Sequence, residues 1–311
     1  MKRRQALTLA AAPLLAVRAS AFAVQDTRVD VTAPLGAAVD RWERELGSVV
    51  ADEHYLQSVV RLPRSGTTRE SNRPPREART LRSEVTLIHF DDPSDWIGFR
   101  HVLAVDGRIP PGRPSPAEIL DNNDLSWDER WRRVLDISAA FNIGSTARDV
   151  NLPTFALAAL RTANHARFDY SATDTVTLNG ERLRALSFRE RGRPSLVSGW
   201  RGKDLPISGR VWFTAAYNVR RTEILIRDRV VPIEEDAHLA REEDLVSRIT
   251  VDFGHDNAVS TWVPLTMRER YDNAWNETTT CEARYSAFRR FRTSGRLVRP
   301  RTPFGAAAAD R

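Results

Sequence analysis

The second half of the chain, from residue 167 to residue 291, repeatedly alternates apolar with polar side chains. In residues 248–253, for example, Ile249, Val251 and Phe253 occupy every second position, and the residues between them are polar or charged. Side chains two residues apart lie on the same face of a β-strand, so this pattern predicts strands with one apolar and one hydrated face. The predicted strands are 167–172, 175–178, 183–189, 210–216, 221–228, 245–253, 259–271 and 278–291. Such a series predicts a curved antiparallel sheet with water on its outer side.

The first half of the chain mixes strands with helices. Apolar residues recur every three or four positions in 34–49, which predicts an amphipathic N-terminal helix. Strands are predicted at 51–62, 81–90 and 96–105, with a loop at 63–80. The period is helical again at about 116–160, where Ser126 and Glu129 have the spacing of a capping box. The sequence therefore predicts an α+β fold, in which a mainly antiparallel curved sheet carries an N-terminal helix and a helical insertion.

Residues 1–23 have the three parts of a cleavable export signal. Basic residues begin it, a short apolar run follows at 6–17, and Ala21-Phe22-Ala23 has the small-x-small form of a cleavage site. The apolar run is shorter than the ~20 residues needed to span a bilayer, so no integral membrane anchor is expected. We expect cleavage near Ala23 and a periplasmic or secreted product. Because Arg3 and Arg4 are paired, export by the twin-arginine route stands beside general secretion.

The remaining chain is expected to form a single β-rich domain over 24–294, followed by a disordered tail at 295–311. Four bases and no acid leave with the signal, so the net charge falls from +6 to +2. A nearly neutral exported protein is not expected to have a nucleic-acid partner.

Few residues match the patterns of catalytic or metal sites. Cys281 is the only cysteine, which excludes a disulfide within the chain, and its place in a predicted strand indicates a buried small side chain. His89 with Asp91, Asp92 and Asp95 is the best local metal candidate, but His89 and Asp91 lie at a strand end and spacing fixes no third ligand, so no metal and no other cofactor is expected. Carboxylates that could be paired for acid–base chemistry are Glu53, Glu84, Glu190, Glu223 and Glu269. Their spacing does not choose among the pairs, so no catalytic residue is assigned.

Several short segments resemble those of uncharacterised exported bacterial proteins. These segments are 141–144 (FNIG), 151–154 (NLPT), 221–224 (RTEI), 263–267 (VPLTM) and 285–291 (YSAFRRF). The order of an N-terminal helix, a meander, a helical segment and a second meander is also similar to that of the lipoprotein-carrier superfamily. This resemblance implies an open half-barrel whose apolar hollow holds acyl chains under a helical lid.

Three functions remain open at this point. The preferred hypothesis is a non-enzymatic periplasmic protein that binds an acyl chain, a lipid or a lipidated partner such as a lipoprotein in the hollow. The predicted ligand-contacting residues of hollow and lid are Phe155, Leu157, Leu160, Trp212, Phe213, Val263, Leu265 and Met267. The first alternative is an interaction or scaffold module that meets another envelope protein and holds no ligand. The second alternative is a hydrolase that uses two carboxylates near the mouth of the sheet.

Overall fold

The computed structural model describes residues 30–61, 76–91, 94–112, 114–146, 148, 151–199, 203–230, 243–273 and 276–291. The predicted signal at 1–23, the predicted tail at 295–311 and most of the predicted loop at 63–80 lie outside these ranges. Described helices are α1 (Thr32–Leu46), α2 (Pro116–Leu120) and α3 (Trp127–Ala139), together with 3₁₀ helices at Phe155–Ala159 and Thr162–Arg167. None of the helices in the described ranges is long and apolar enough to cross a membrane.

The described strands form one sheet in which every neighbouring pair is antiparallel. The strands are β1 (Ser48–Arg61), β2 (Arg76–Asp91), β3 (Ser94–Val105), β4 (Phe168–Leu178), β5 (Glu181–Glu190), β6 (Ile207–Phe213), β7 (Val219–Val230), β8 (Glu243–Asp256), β9 (Thr261–Asp272) and β10 (Glu277–Arg290). Their order is β3-β2-β1-β10-β9-β8-β7-β6-β5-β4, so β3 and β4 are the two edges and the sheet does not close. The predicted α+β fold, an open half-barrel with an N-terminal helix and a helical insertion, is confirmed.

Pairing of β1 with β10 joins the two meanders into one sheet. Val49 lies opposite Arg290 and Arg61 lies opposite Glu277, so the pairing runs the whole length of β1. Two local predictions differ from the structure. Residues 76–80 extend β2 beside β1, although they were predicted as loop, because ladder hydrogen bonds do not require an apolar pattern. The predicted strands 167–172 and 175–178 are one strand, β4, with an irregular register between Thr173 and Val176.

The concave face of the sheet holds the main core. Helix α1 buries Leu35, Val39, Trp42 and Leu46 against it, as the helical period predicted. The indole of Trp42 meets the ring of Phe253 edge-on at 5.2 Å, and its Nε1 donates a hydrogen bond to the carbonyl of Trp262 at 2.6 Å. The indole is therefore buried with its one polar atom satisfied, as a core tryptophan requires.

A smaller core lies under the helical insertion. Ile88 and Phe99 from β2 and β3 contact Ile119, Leu120 and Val134 from α2 and α3. The capping box predicted at the start of α3 is confirmed, because the Ser126 hydroxyl accepts a hydrogen bond from the Glu129 backbone and the Glu129 carboxylate accepts one from the Ser126 backbone. Satisfied caps of this kind fix where each helix begins.

Candidate functional site: the covered concave face

Residues 151–167, here called the cover segment, cross the concave face between the insertion and β4. Leu157 and Leu160 belong to this segment and are 0% and 1% exposed within the main core. Helix α1 lies close beside the segment at Gly36, where an added Cβ would stand 2.5 Å from the His165 ring. The imidazole Nε2 of His165 in turn donates a hydrogen bond to the carbonyl of Leu160 at 2.9 Å. Helix and cover segment therefore form one layer over the sheet.

Polar contacts fix both ends of the cover segment, where Asn151 is hydrogen-bonded to the Tyr55 hydroxyl at 3.2 Å and Arg167 pairs with Glu190 at 3.1 Å. Between these ends the polar contacts are fewer. The guanidinium of Arg161 pairs with the Glu43 carboxylate on α1, with Nε and Oε2 2.9 Å apart. The backbone amide of Thr162 donates to the Asp40 carboxylate at 3.3 Å, and the Tyr170 hydroxyl donates to the carbonyl of Ala159 at 2.5 Å. Most of the contact between the segment and the sheet is therefore made by apolar side chains.

The structure brings six of the eight predicted ligand-contacting residues together. Leu157, Leu160, Phe213, Val263 and Met267 belong to the main core, and Phe155 is partly buried against it. Phe213 and Met267 are each 0% exposed, and Trp262 packs against the same core. The concave face is thus occupied by the chain's own side chains in this conformation.

Trp212 and Leu265 lie on the opposite, outer face of the sheet. Trp212 stands between the buried residues Val211 and Phe213, so its side chain must point the other way, where Arg210 lies over its ring at 5.7 Å. Leu265 is 41% exposed, and its side chain is the one that a Cβ on Gly254 would meet. The β8–β9 register shifts between Asp252 and Phe253, close to Pro264, so simple alternation does not hold at that point.

The other half of the concave face, on β1, β3, β9 and β10, is polar although it is buried. Glu53 and Arg100 are 2% and 1% exposed and form an ion pair in which Arg100 Nη2 donates to Glu53 Oε1 at 2.8 Å. The same guanidinium lies 4.4 Å from the centre of the Tyr55 ring. Two charges so deeply buried persist because each satisfies the other.

Arg148 attaches the loop that precedes the cover segment to this polar half. Its Nη1 donates to the Tyr55 hydroxyl at 3.2 Å and to Cys281 Sγ at 2.6 Å. Its Nη2 donates to Gln57 Oε1 at 2.6 Å and to the carbonyl of Ile143 at 2.8 Å. A single guanidinium thus binds β1, β10 and its own loop together.

Burial disfavours the charged forms of the remaining titratable groups of the polar half. Desolvation raises the pKa of Glu269, whose Oε2 accepts a hydrogen bond from the Tyr271 hydroxyl at 2.5 Å. Desolvation also raises the pKa of Cys281 to about 11, so at neutral pH the sulfur is a thiol and not a nucleophilic thiolate. The prediction that Cys281 is buried is confirmed.

The candidate carboxylates are distributed over both faces. Glu84 and Glu223 lie on the outer face and pair with Arg289 and Arg248. Glu53 and Glu269 share the concave face, where each is closed off from solvent by the partners described above. Glu190 is also buried, and its carboxylate accepts hydrogen bonds from the amides of Leu196 and Ile207. These contacts give each buried carboxylate at least one partner within the protein, whereas Oε1 of Glu269 has no hydrogen-bond partner among the described residues.

No group of three metal-ligating side chains occurs among the residues that the structure describes. The predicted metal candidate falls outside that part, because residue Asp92 and the side chains of His89, Asp91 and Asp95 are not among those described.

The polar half of the concave face was not predicted from the sequence. Its signal was present in β1, where Glu53, Tyr55 and Gln57 alternate in step with the apolar residues Val49 and Val59. A carboxylate and an amide on the apolar side of a strand predict buried polar partners. The partners themselves, Arg100 and Arg148, lie 47 and 91 or more residues away and could not be chosen from spacing.

Solved structures that are similar to this chain include two at low sequence identity. No protein-family model matches the chain, and no curated protein matches it. One similar structure is a domain from Vibrio parahaemolyticus named for outer membrane lipoprotein sorting, with 10% identity, a TM-score of 0.31, and coverage of 83% of this chain and 93% of that one. Another is a DUF1329 family protein from Desulfovibrio piger, with 14% identity, a TM-score of 0.31, and coverage of 83% and 92%.

Proposed function

We propose that the protein is exported to the periplasm and binds an apolar ligand, such as an acyl chain or the lipid part of a lipidated partner, in the hollow of its half-barrel. The ligand would take the place now held by the cover segment. It would contact Phe213, Val263 and Met267 in the hollow, whereas Phe155, Leu157 and Leu160 would withdraw with the cover segment. Trp212 and Leu265 are left out of this site because they lie on the outer face.

This proposal rests on one observation: part of the apolar filling of the hollow comes from the cover segment and not from the sheet. Leu157 and Leu160 come from a short 3₁₀ segment and its end, and not from the sheet. The pairing partners of every strand are other strands, so the cover segment could leave the concave face without breaking the sheet. An open sheet with unpaired edges at β3 and β4 can also change its curvature, which a closed barrel cannot.

The free energy gained by burying the leucines of the cover segment is comparable with that gained by burying an acyl chain in their place. Burying a leucine side chain stabilises by about 1.5–3 kcal/mol, and each buried methylene of an acyl chain contributes about 0.8 kcal/mol. An acyl segment of about eight methylenes would therefore compensate for withdrawing Leu157 and Leu160. Replacement of Leu157 and Leu160 by an acyl chain is then limited by the strength of the contacts that hold the cover segment on the sheet.

Clamping the cover segment should block this exchange. The Thr162 amide donates a hydrogen bond to the Asp40 carboxylate, so Asp40→Cys with Thr162→Cys is the pair chosen for a disulfide clamp. Titration of free thiols checks that the disulfide has formed. We expect the reduced variant to bind a dansyl-labelled fatty acid and the oxidised variant to bind it at least about tenfold more weakly, measured by fluorescence titration.

Asp40→Cys alone is the matched control, since it removes the same carboxylate but cannot form the clamp. It should bind the fatty acid equally under oxidising and reducing conditions. Equal binding by the clamped and unclamped double variant, or no binding by the wild-type protein, would count against an acyl-chain site.

Export makes a separate prediction about the N-terminus. If residues 1–23 are a cleavable signal, the protein recovered from fractionated cells should begin near Val24 and appear in the periplasmic fraction. N-terminal sequencing decides this point, and an intact Met1 would contradict it. Arg3→Lys with Arg4→Lys should stop export by the twin-arginine route and leave general secretion working.

A second candidate function is favoured by the complete burial of Phe213 and Met267. If these residues fill the hollow permanently, the protein is an envelope interaction module that presents its outer face to a partner. This function would be supported by an intact, exported protein that takes up no fatty acid in either state of the clamp.

A further inference from the structure

The outer face of the sheet contains a groove across β4, β5, β6 and β7, on the side away from the cover segment. Its volume is about 550 Å³. The side chains that line it form two rows that run across the strands. In each row, the residues of neighbouring strands lie directly opposite one another. One row is Ser171, Ser187, Arg210 and Glu223, and the other is Asp169, Arg189, Ser208 and Leu225, with Arg227 beside the second row.

The centre of the groove is a square of two arginines and two serines. Arg189 lies directly opposite Ser208, and Arg210 lies directly opposite Ser187, so each arginine is diagonal to the other. Arg210 Nε is 3.3 Å from the Ser187 hydroxyl, and both arginines are exposed. The square therefore presents two guanidinium groups and two hydroxyl groups to the same small space.

The carboxylates of the groove are engaged elsewhere. Asp169 pairs with Arg191 at 2.9 Å, and Glu223 pairs with Arg248 at 3.5 Å, and neither of these arginines lines the groove. Within the described part of the chain, Arg189 and Arg227 have no ion-pair partner. Positive charge thus remains uncompensated inside the groove, which favours an anion.

We propose that this groove binds a small soluble phosphate ester, with the phosphoryl group between Arg189 and Arg210. A tetrahedral oxyanion suits this arrangement because guanidinium groups donate paired hydrogen bonds to its oxygens and serine hydroxyls can donate to the others. The groove has a volume of about 550 Å³, whereas one water molecule takes up about 30 Å³. A single oxyanion therefore leaves most of the groove unfilled. The remaining space, flanked by Leu225 and Arg227, accommodates the organic part of the ester.

The test is isothermal titration calorimetry of the whole protein with glycerol 3-phosphate, at constant ionic strength. Glycerol and inorganic phosphate are titrated separately, because they are the two parts of glycerol 3-phosphate. Phosphatidylglycerol vesicles are titrated to test whether the groove binds the phosphoryl groups of a lipid surface. We expect the ester to bind more tightly than inorganic phosphate and glycerol not to bind. Arg189→Gln with Arg210→Gln should weaken binding of the ester by at least about tenfold, and Arg189→Gln alone by less.

Arg82→Gln is the matched control, because Arg82 is an exposed arginine on the same outer face but on β2, away from the groove. It should leave the affinity unchanged. The proposal is overturned if the ester does not bind, if the double variant binds it as well as the wild type, or if only the vesicles bind. It does not depend on the acyl-chain site, since its residues lie on the other face of the sheet.

Discussion

Replacing Glu53 by alanine is expected to lower the free energy of unfolding by about 3–5 kcal/mol, because it leaves a buried charge without its partner. Arg100 is 1% exposed, and the Glu53 carboxylate is its ion-pair partner on the concave face. Burial lowers the pKa of Arg100 and the Glu53 carboxylate raises it, with the rise prevailing in the wild-type protein. Without Glu53 the guanidinium still cannot escape the cost by losing its proton, because arginine stays protonated in proteins. Urea denaturation followed by circular dichroism measures the loss.

The neighbouring residue provides the control for this prediction. Asp52 pairs with Arg289 at 2.7 Å, but its side chain is 55% exposed, so Asp52→Ala should cost less than about 1 kcal/mol. Replacing both partners, as Glu53→Leu with Arg100→Met, should recover most of the loss, because it removes both buried charges together. A loss below about 1 kcal/mol for Glu53→Ala would show that water reaches Arg100 and that this half of the concave face is open.

Leu157→Ala should be the second large destabilisation, about 2–5 kcal/mol, because it creates a cavity in a fully packed core. Leu157 of the cover segment is 0% exposed within the main core. The same cavity would weaken the hold of the cover segment on the concave face. We therefore expect the variant to bind the dansyl-labelled fatty acid at least as tightly as the wild type, although it melts at a lower temperature.

Leu265→Ala removes the same atoms from the outer face, where the leucine is 41% exposed. It should change stability by only about 0.5 kcal/mol and leave fatty-acid binding unaltered. If Leu157→Ala were as mild as Leu265→Ala, the cover segment would not be part of the core. If Leu157→Ala abolished fatty-acid binding in a protein that remains folded, the leucine would be a ligand contact and not an occupant that the ligand displaces.

Much of the architecture could be predicted because its signals are local. The alternation of Ile249, Val251 and Phe253 reports which side of β8 faces the core, and all three are buried. The spacing of Ser126 and Glu129 similarly identified the start of α3. Such patterns depend on the geometry of one strand or one helical turn, so neighbouring residues contain the whole signal.

Alternation failed where the sheet departs from regular geometry. Leu265 was predicted in the hollow as part of an apolar stretch, but the irregular register beside it places it on the outer face. Trp212 was predicted in the hollow together with Phe213, although adjacent strand residues face opposite ways and Val211 and Phe213 occupy the inward positions. A large apolar side chain is no evidence of burial on its own, because much of the surface of any protein is apolar.

By itself the sequence determined the export-like N-terminal pattern, the antiparallel sheet with one apolar face, and the helix that covers it. Only the tertiary structure decided that Glu53 meets Arg100, that Arg148 reaches Tyr55 and Cys281, and that two arginines and two serines form a square on the outer face. The physical reason is the range of the interactions. Periodicity is set by the backbone of one element, whereas these contacts depend on strand register and on pairing between residues far apart in the chain, which a one-residue shift would rearrange.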